Sequence, residues 1–140
     1  MKIAVIIVRV LMGLLFLFAS AVYFLDLAPT PELEGDMKAF NEGLAAARYL
    51  MPLVKTVELL AALALLSGFF LPLAVVVLFP VSVNIFLVHL FLAPEGLPVA
   101  IFVLLGNLFL AYACRHHYRG LWGAKRQQPT NWRKDLDGSV

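Results

Sequence analysis

The chain has 140 residues, 62% of them hydrophobic and only 14% charged, with a formal net charge of +2. A soluble domain carries roughly 25% charged residues and, at this length, keeps much of its surface in water, so the composition excludes an ordinary water-soluble fold and predicts an all-α integral membrane protein. The single cysteine, Cys114, excludes an intramolecular disulfide, a CxxC redox pair and a multi-cysteine metal centre.

The first apolar run covers residues 3–25. A span needs roughly 20 mainly apolar residues, and in lipid each backbone polar group must be paired within its own segment, which makes the run a helix. The "ASA" at 19–21 resembles a signal-peptidase site, but the run before it is long and carries Arg9, so it is expected to remain as a span. Residues 26–49 form the one long loop, and "MKAFNEGLAAARYL" (37–50) within it predicts a short amphipathic surface helix. The second span follows at 50–67, with Pro52 near its start. "SGFF" (67–70) leaves room only for a tight hairpin into the third span, 70–92. "APEGLP" (93–98) stops one helix and starts the next, and the fourth span runs over 97–114. The predicted architecture is a four-helix bundle over 1–118 with a polar tail at 119–140. No internal repeat or low-complexity segment interrupts it.

Lysine and arginine orient the bundle. The end of the fourth span and the tail carry Arg115, Arg119, Lys125, Arg126, Arg133 and Lys134, whereas the long loop sets Asp26, Glu32, Glu34, Asp36 and Glu42 against Lys38 and Arg48. The positive-inside rule places both termini in the cytoplasm and the loop outside. Tyr118, Trp122 and Trp132 are expected at the headgroups.

Six polar residues fall within the spans: Arg9, Lys55, Glu58, Asn84, His89 and Asn107. A charge at the bilayer centre costs about 2.5–3.5 kcal/mol, so such groups turn inward, pair with one another and mark functional sites. At 1.5 Å per residue, Arg9 lies roughly 10 Å from the cytoplasmic side and Glu58 roughly 12 Å from the outer side. In a core of about 30 Å that leaves some 8 Å between their levels, a gap an extended arginine largely spans. Glu58 is therefore expected to be the anion of an internal cluster, with Arg9 and Lys55 as its cations and Lys55 free to snorkel outward. Three helical faces should turn to the interior: Arg9, Gly13, Phe16, Ser20 and Tyr23, with Gly13 and Ser20 small enough for close packing; Lys55, Glu58, Leu59 and Ala62; and a stripe of mostly small residues, Ala100, Val103, Asn107, Ala111 and Cys114. Asn84 and His89 are about 140° apart on the helical wheel and cannot point at one spot. His89 and the pair His116–His117 sit at opposite ends of a ~30 Å core, so a single chain cannot ligate one haem through both; no metal site is expected. His116 and His117, in the basic stretch "CRHHYRG", suit headgroup contact. No Ser-His-Asp pattern, phosphate loop or nucleotide fingerprint is present, and no nucleic-acid partner is expected.

Four stretches, in order, carry a resemblance: "RVLMGLLFLFAS" (9–20), "KTVELLAALALLSG" (55–68), "NIFLVHLFLAPEG" (84–96) and "YACRHHYRG" (112–120). Together they make the chain resemble the DoxX family of small four-span bacterial membrane proteins. The resemblance implies a multi-pass protein of the bacterial inner (plasma) membrane. It further implies a membrane oxidoreductase component linked to quinones or thiosulfate and to a membrane redox partner protein. Because the chain has no cysteine pair or ligand set of its own, an electron carrier would be a bound quinone or a partner's cofactor. On this reading Glu58 and Arg9 are catalytic, Glu58 relaying a proton. Lys55, Asn84, His89 and Asn107 bind the quinone or a similar apolar small molecule. The alternative is a non-enzymatic partner or assembly factor whose buried charges only orient the helices. A small-molecule carrier is a third option, with no inverted repeat to support it.

Overall fold

The structure is a computed structural model and describes residues 2–29 and 32–122. Four of its helices are long and apolar enough to cross a membrane: α1 (Lys2–Leu25), α3 (Leu50–Ser67), α4 (Leu71–Phe91) and α5 (Leu97–Ala113), the last extended backwards by the single 3-10 turn Pro94–Gly96. Between α1 and α3 lies α2 (Gly35–Ala46), and after α5 come a 3-10 turn, Arg115–Tyr118, and a one-turn helix, α6 (Arg119–Trp122). The four spans thus fall within two residues of the expected bounds. The surface helix starts two residues earlier than expected and ends four residues earlier. It stops because Arg48 takes a left-handed φ of 50° just before α3 begins. The tail residues Lys125, Arg126, Trp132, Arg133 and Lys134 lie outside the described residues.

Each long helix packs on two neighbours, so that α1, α3, α4 and α5 form a closed ring in that order, every neighbouring pair antiparallel. We refer to the end holding Lys2 as the N-terminal face and the end holding α2 as the loop face. The turns follow from local chemistry. Gly68 caps α3 in the left-handed region (φ 82°), donating its N–H to Ala64 O, a conformation that costs other residues steric strain. Pro72 and Pro98 sit in the first turns of α4 and α5, where the missing N–H has no intrahelical partner to lose. Pro80 inside α4 is different: it removes the bond that would reach Val76 O.

The interior is narrow. Met12, Phe16, Ala62, Leu65, Val75, Leu78, Val103 and Leu110 are fully or almost fully buried, yet at most 28% of any span's apolar window is. The rest of each helix turns Ile3, Leu14, Phe18, Leu60, Leu73, Phe91 and Leu105 outward. In water that surface would collapse onto itself; in hydrocarbon it is already solvated, and helices are held instead by close packing at small residues. Gly13 is one such place. A Cβ there would stand 2.8 Å from Leu66 Cγ and 3.3 Å from Leu65 Cβ, so α1 and α3 touch backbone to side chain and their register is fixed at that point.

Candidate functional site

From Gly13 the register can be counted. Ser20 lies seven residues further along α1, and Glu58 lies seven residues before Leu65 on the antiparallel α3. Both are displaced by about 10 Å toward the loop face, so they share a level. Counting out from the α3–α4 hairpin, Glu58 is ten residues before Gly68 and Ser82 twelve after Phe70, which puts Ser82 within about 3 Å of that level. All three are buried: Glu58 is 4% exposed, and Ser20 and Ser82 are 0% exposed. The hydroxyl oxygens of Ser20 and Ser82 have no hydrogen-bond partner. Three helices therefore contribute one buried polar group each to a single layer.

Lys55, one turn nearer the loop face, donates from Nζ to Glu58 Oε2 at 2.9 Å. This is the other charge of the pair that the sequence set into an apolar helix, and the i, i+3 spacing brings the two together without tertiary help. Lys55 also lines an open cavity of about 640 Å³ bounded by the end of α1, by α2 and by the start of α3. Its walls are apolar at Ala19, Val22, Leu44 and Met51 and polar at Tyr23, Asp26, Asn41, Arg48 and Lys55. Lys55 is thus the link between an open vestibule and the buried carboxylate. A second groove of about 300 Å³, between α3 and α4, is lined only by apolar residues such as Val57, Leu60, Leu73 and Val77. It offers no hydrogen bonds and suits an acyl chain.

The other expected members of the cluster lie elsewhere. Arg9 does not reach Glu58: its guanidinium lies against Gly68, with Nη1 2.7 Å from where a Cβ would be. Gly68 is ten residues, about 15 Å, from Glu58 along α3. The reason is directional. A helical side chain leaves its backbone toward the helix N-terminus. On antiparallel helices Arg9 therefore extends to the N-terminal face and Glu58 to the loop face, so the arithmetic of backbone levels misjudged the gap. Asn84 is exposed on the outside of the bundle rather than among the helices. His89 accepts a partly buried place near the loop face, its Nδ1 2.7 Å from Ile85 O and its ring packed on Gly96. Asn107 is buried, 1% exposed, and donates from Nδ2 to Val75 O at 3.4 Å across α4 and α5, while its Oδ1 is unpaired. Its neighbour Val75 is near the start of α4, on the N-terminal side of the bundle. Only Lys55 and Glu58 of the six form one group.

Two further features had no signal in the single sequence. Ser82 is one hydroxyl in a long apolar helix, and only the register shows that it meets Glu58's level. Tyr118 donates its hydroxyl to Pro72 O at 2.6 Å, fastening the segment after α5 to the start of α4. Burial, with Cys114 as a second and smaller cause, pushes its phenol up to about 12. Among the described residues no group of three or more His, Cys, Asp or Glu is placed to hold a metal, and His89 and His116 stand at opposite faces. No family model, curated protein or solved structure matches the chain.

Proposed function

We propose that this is a DoxX-like, redox-associated protein of the bacterial inner membrane. It would bind a quinone or similar apolar small molecule in the loop-face vestibule, with both termini in the cytoplasm. The observation that carries the reading is the position of Lys55, at once on the wall of a 640 Å³ cavity and hydrogen-bonded to the buried Glu58. The vestibule pairs an apolar wall with a few convergent polar groups, the usual composition of a small-molecule site. A quinone carbonyl would accept a hydrogen bond from the Lys55 ammonium. Reduction to the quinol needs two electrons and two protons; the electrons would come from a membrane redox partner, and Glu58 behind Lys55 would pass the two protons in turn, taking each from water in the vestibule. The orientation rests on the placement of basic residues: Lys2, Arg9, Arg115 and Arg119 at the N-terminal face against Lys38 and Arg48 among the carboxylates of the loop face. The site so proposed is smaller than the sequence suggested, with Arg9, Asn84, His89 and Asn107 outside it.

The test is extraction of the protein purified from native membranes, followed by mass spectrometry of what it carries. A quinone retained by the wild type and lost from Glu58→Gln and Lys55→Met, both still folded, supports the site. A blank wild type in native lipid sinks it. That outcome would favour the second reading, a partner or assembly factor. The observation that favours this alternative is that Lys55 and Glu58 already satisfy each other. Its own measurement is copurification with a defined membrane complex.

A further inference from the structure

The carboxylates of the described residues gather toward one end of the bundle, where Lys38, Arg48 and Lys55 also lie. Seven carboxylates are present, Asp26, Glu32, Glu34, Asp36, Glu42, Glu58 and Glu95. Six belong to the loop face, and Glu58, the seventh, is ten residues of α3 away from the hairpin at Gly68. The N-terminal face carries Lys2, Arg9, Arg115 and Arg119, and among the described residues no acid at all. Arg115 has local partners, bonding Tyr112 O at 3.1 Å and lying 4.3 Å over the Tyr112 ring. Arg9 does not. Its Nε is buried with no hydrogen-bond partner, and neither of the ion pairs among the described residues includes it.

A guanidinium is permanently charged, so it cannot escape this position by losing a proton. The partial negative charge at the C-terminus of α3 favours a cation beside Gly68, but it does not supply the forked acceptor that a guanidinium is built to hold. The side chain meanwhile ends at the α3–α4 hairpin, where a span meets the headgroups. We propose that Arg9, seated over Gly68, binds a phosphate-class anion at the N-terminal face, the phosphate of an anionic phospholipid. The site is separate from the vestibule and does not depend on the quinone reading. Gly68 serves it twice, as the left-handed cap of α3 and as the gap in which the guanidinium lies.

The experiment uses the full chain reconstituted in phosphatidylcholine vesicles with a minor fraction of phosphatidylglycerol, then extracted in detergent and weighed intact by native mass spectrometry. The wild type should keep phosphatidylglycerol in preference to phosphatidylcholine. Arg9→Gln should reduce that retention about tenfold, the scale of a lost charge-assisted hydrogen bond. Arg119→Gln, exposed on the same face, should leave it within about twofold, since diffuse attraction is screened by salt. If Arg9→Gln does not accumulate, Arg9→Lys carries the test: it keeps the charge without the fork and should lower retention severalfold. Equal retention by the Arg9 variant and the wild type, or equal loss in the Arg9 and Arg119 variants, overturns the proposal. A parallel arm adds inorganic phosphate. Displacement of the lipid by millimolar phosphate would keep the anion site and overturn the lipid as its source.

Discussion

The Arg9 guanidinium occupies the space left by the missing side chain of Gly68, on the helix that also carries Glu58 but about 15 Å from it. The arginine and the glycine therefore form a matched pair. Gly68→Ala adds a Cβ at φ 82°, which costs about 1–2 kcal/mol, and sets it 2.7 Å from Nη1. The expected result is a lower midpoint of thermal unfolding in mild detergent. Adding Arg9→Ala should relieve the crowding and not the backbone strain, giving a coupling of about 0.5 kcal/mol or more.

Lys55 and Glu58 should be coupled more strongly. Their side chains are 17% and 5% exposed, and breaking such a pair from one side leaves a charge without its partner, at about 3–5 kcal/mol for a fully buried pair. Lys55→Met should therefore destabilise the bundle more than Glu58→Gln, because a bereft lysine can still turn into the vestibule. The double variant Lys55→Met with Glu58→Gln should recover much of the loss. Thermal unfolding of the three proteins checks the order.

Packing at the two buried helical glycines, Gly13 and Gly106, should differ in tolerance. At Gly13 a new methyl meets Leu66 at 2.8 and 2.9 Å and Leu65 Cβ at 3.3 Å, whereas at Gly106 its closest contact, 2.7 Å, is the sulfur of Met12. Overpacking costs about 1–3 kcal/mol, and methionine yields more readily than a Cβ fixed to a helix. Gly13→Ala is expected to be the more destabilising of the two.

Tyr118 gives the bundle an alkaline limit. Its phenol is raised from an ordinary value near 10 to about 12, by burial first and by Cys114 second. The folded protein holds this proton more tightly than the unfolded chain does, so the contribution to stability is complete below pH 10 and is lost as pH rises toward 12. Ultraviolet titration should show one late tyrosine step that Tyr118→Phe removes. That variant also loses the bond to Pro72 O.

Asn84→Leu should not destabilise the bundle. The side chain is exposed and has no bond within the described residues, and toward hydrocarbon an unbonded amide is costlier than a leucine. Its unfolding midpoint should equal or exceed that of the wild type, and its ligand retention should be unchanged.

The spans were legible because the solvent dictates them: hydrocarbon leaves a backbone no choice but helix, and Gly68, Pro72 and Pro98 punctuate where helices must end or begin. The inward stripes were legible in large part, with Gly13, Phe16, Ser20, Glu58, Ala62, Ala100, Val103, Asn107 and Cys114 buried, while Tyr23 at the end of the first stripe is exposed and Arg9, Lys55, Leu59 and Ala111 are half-buried. What failed was the step from depth to contact. Arg9 and Glu58 were judged by where their backbones lie, and long side chains leave an antiparallel pair in opposite directions. Polarity and resemblance both point Asn84 inward, and neither fixes the rotation of a helix that is apolar all round. Ser82 and Tyr118 were out of reach for a related reason: the level at which one helix meets another is set by contacts such as Gly13 on Leu66, which belong to neither helix alone.

The bond from Tyr118 to Pro72 has a mechanical consequence. With the turn at Pro94–Gly96 joining the other ends, α4 and α5 are fastened to each other top and bottom, and they behave as a frame. Among the described residues no such second fastening crosses from either of them to α1 or α3, whose seams with the frame are also the less extensively packed ones. Any opening of the ring is therefore channelled to those two seams, and the α4–α5 half should move as a rigid panel.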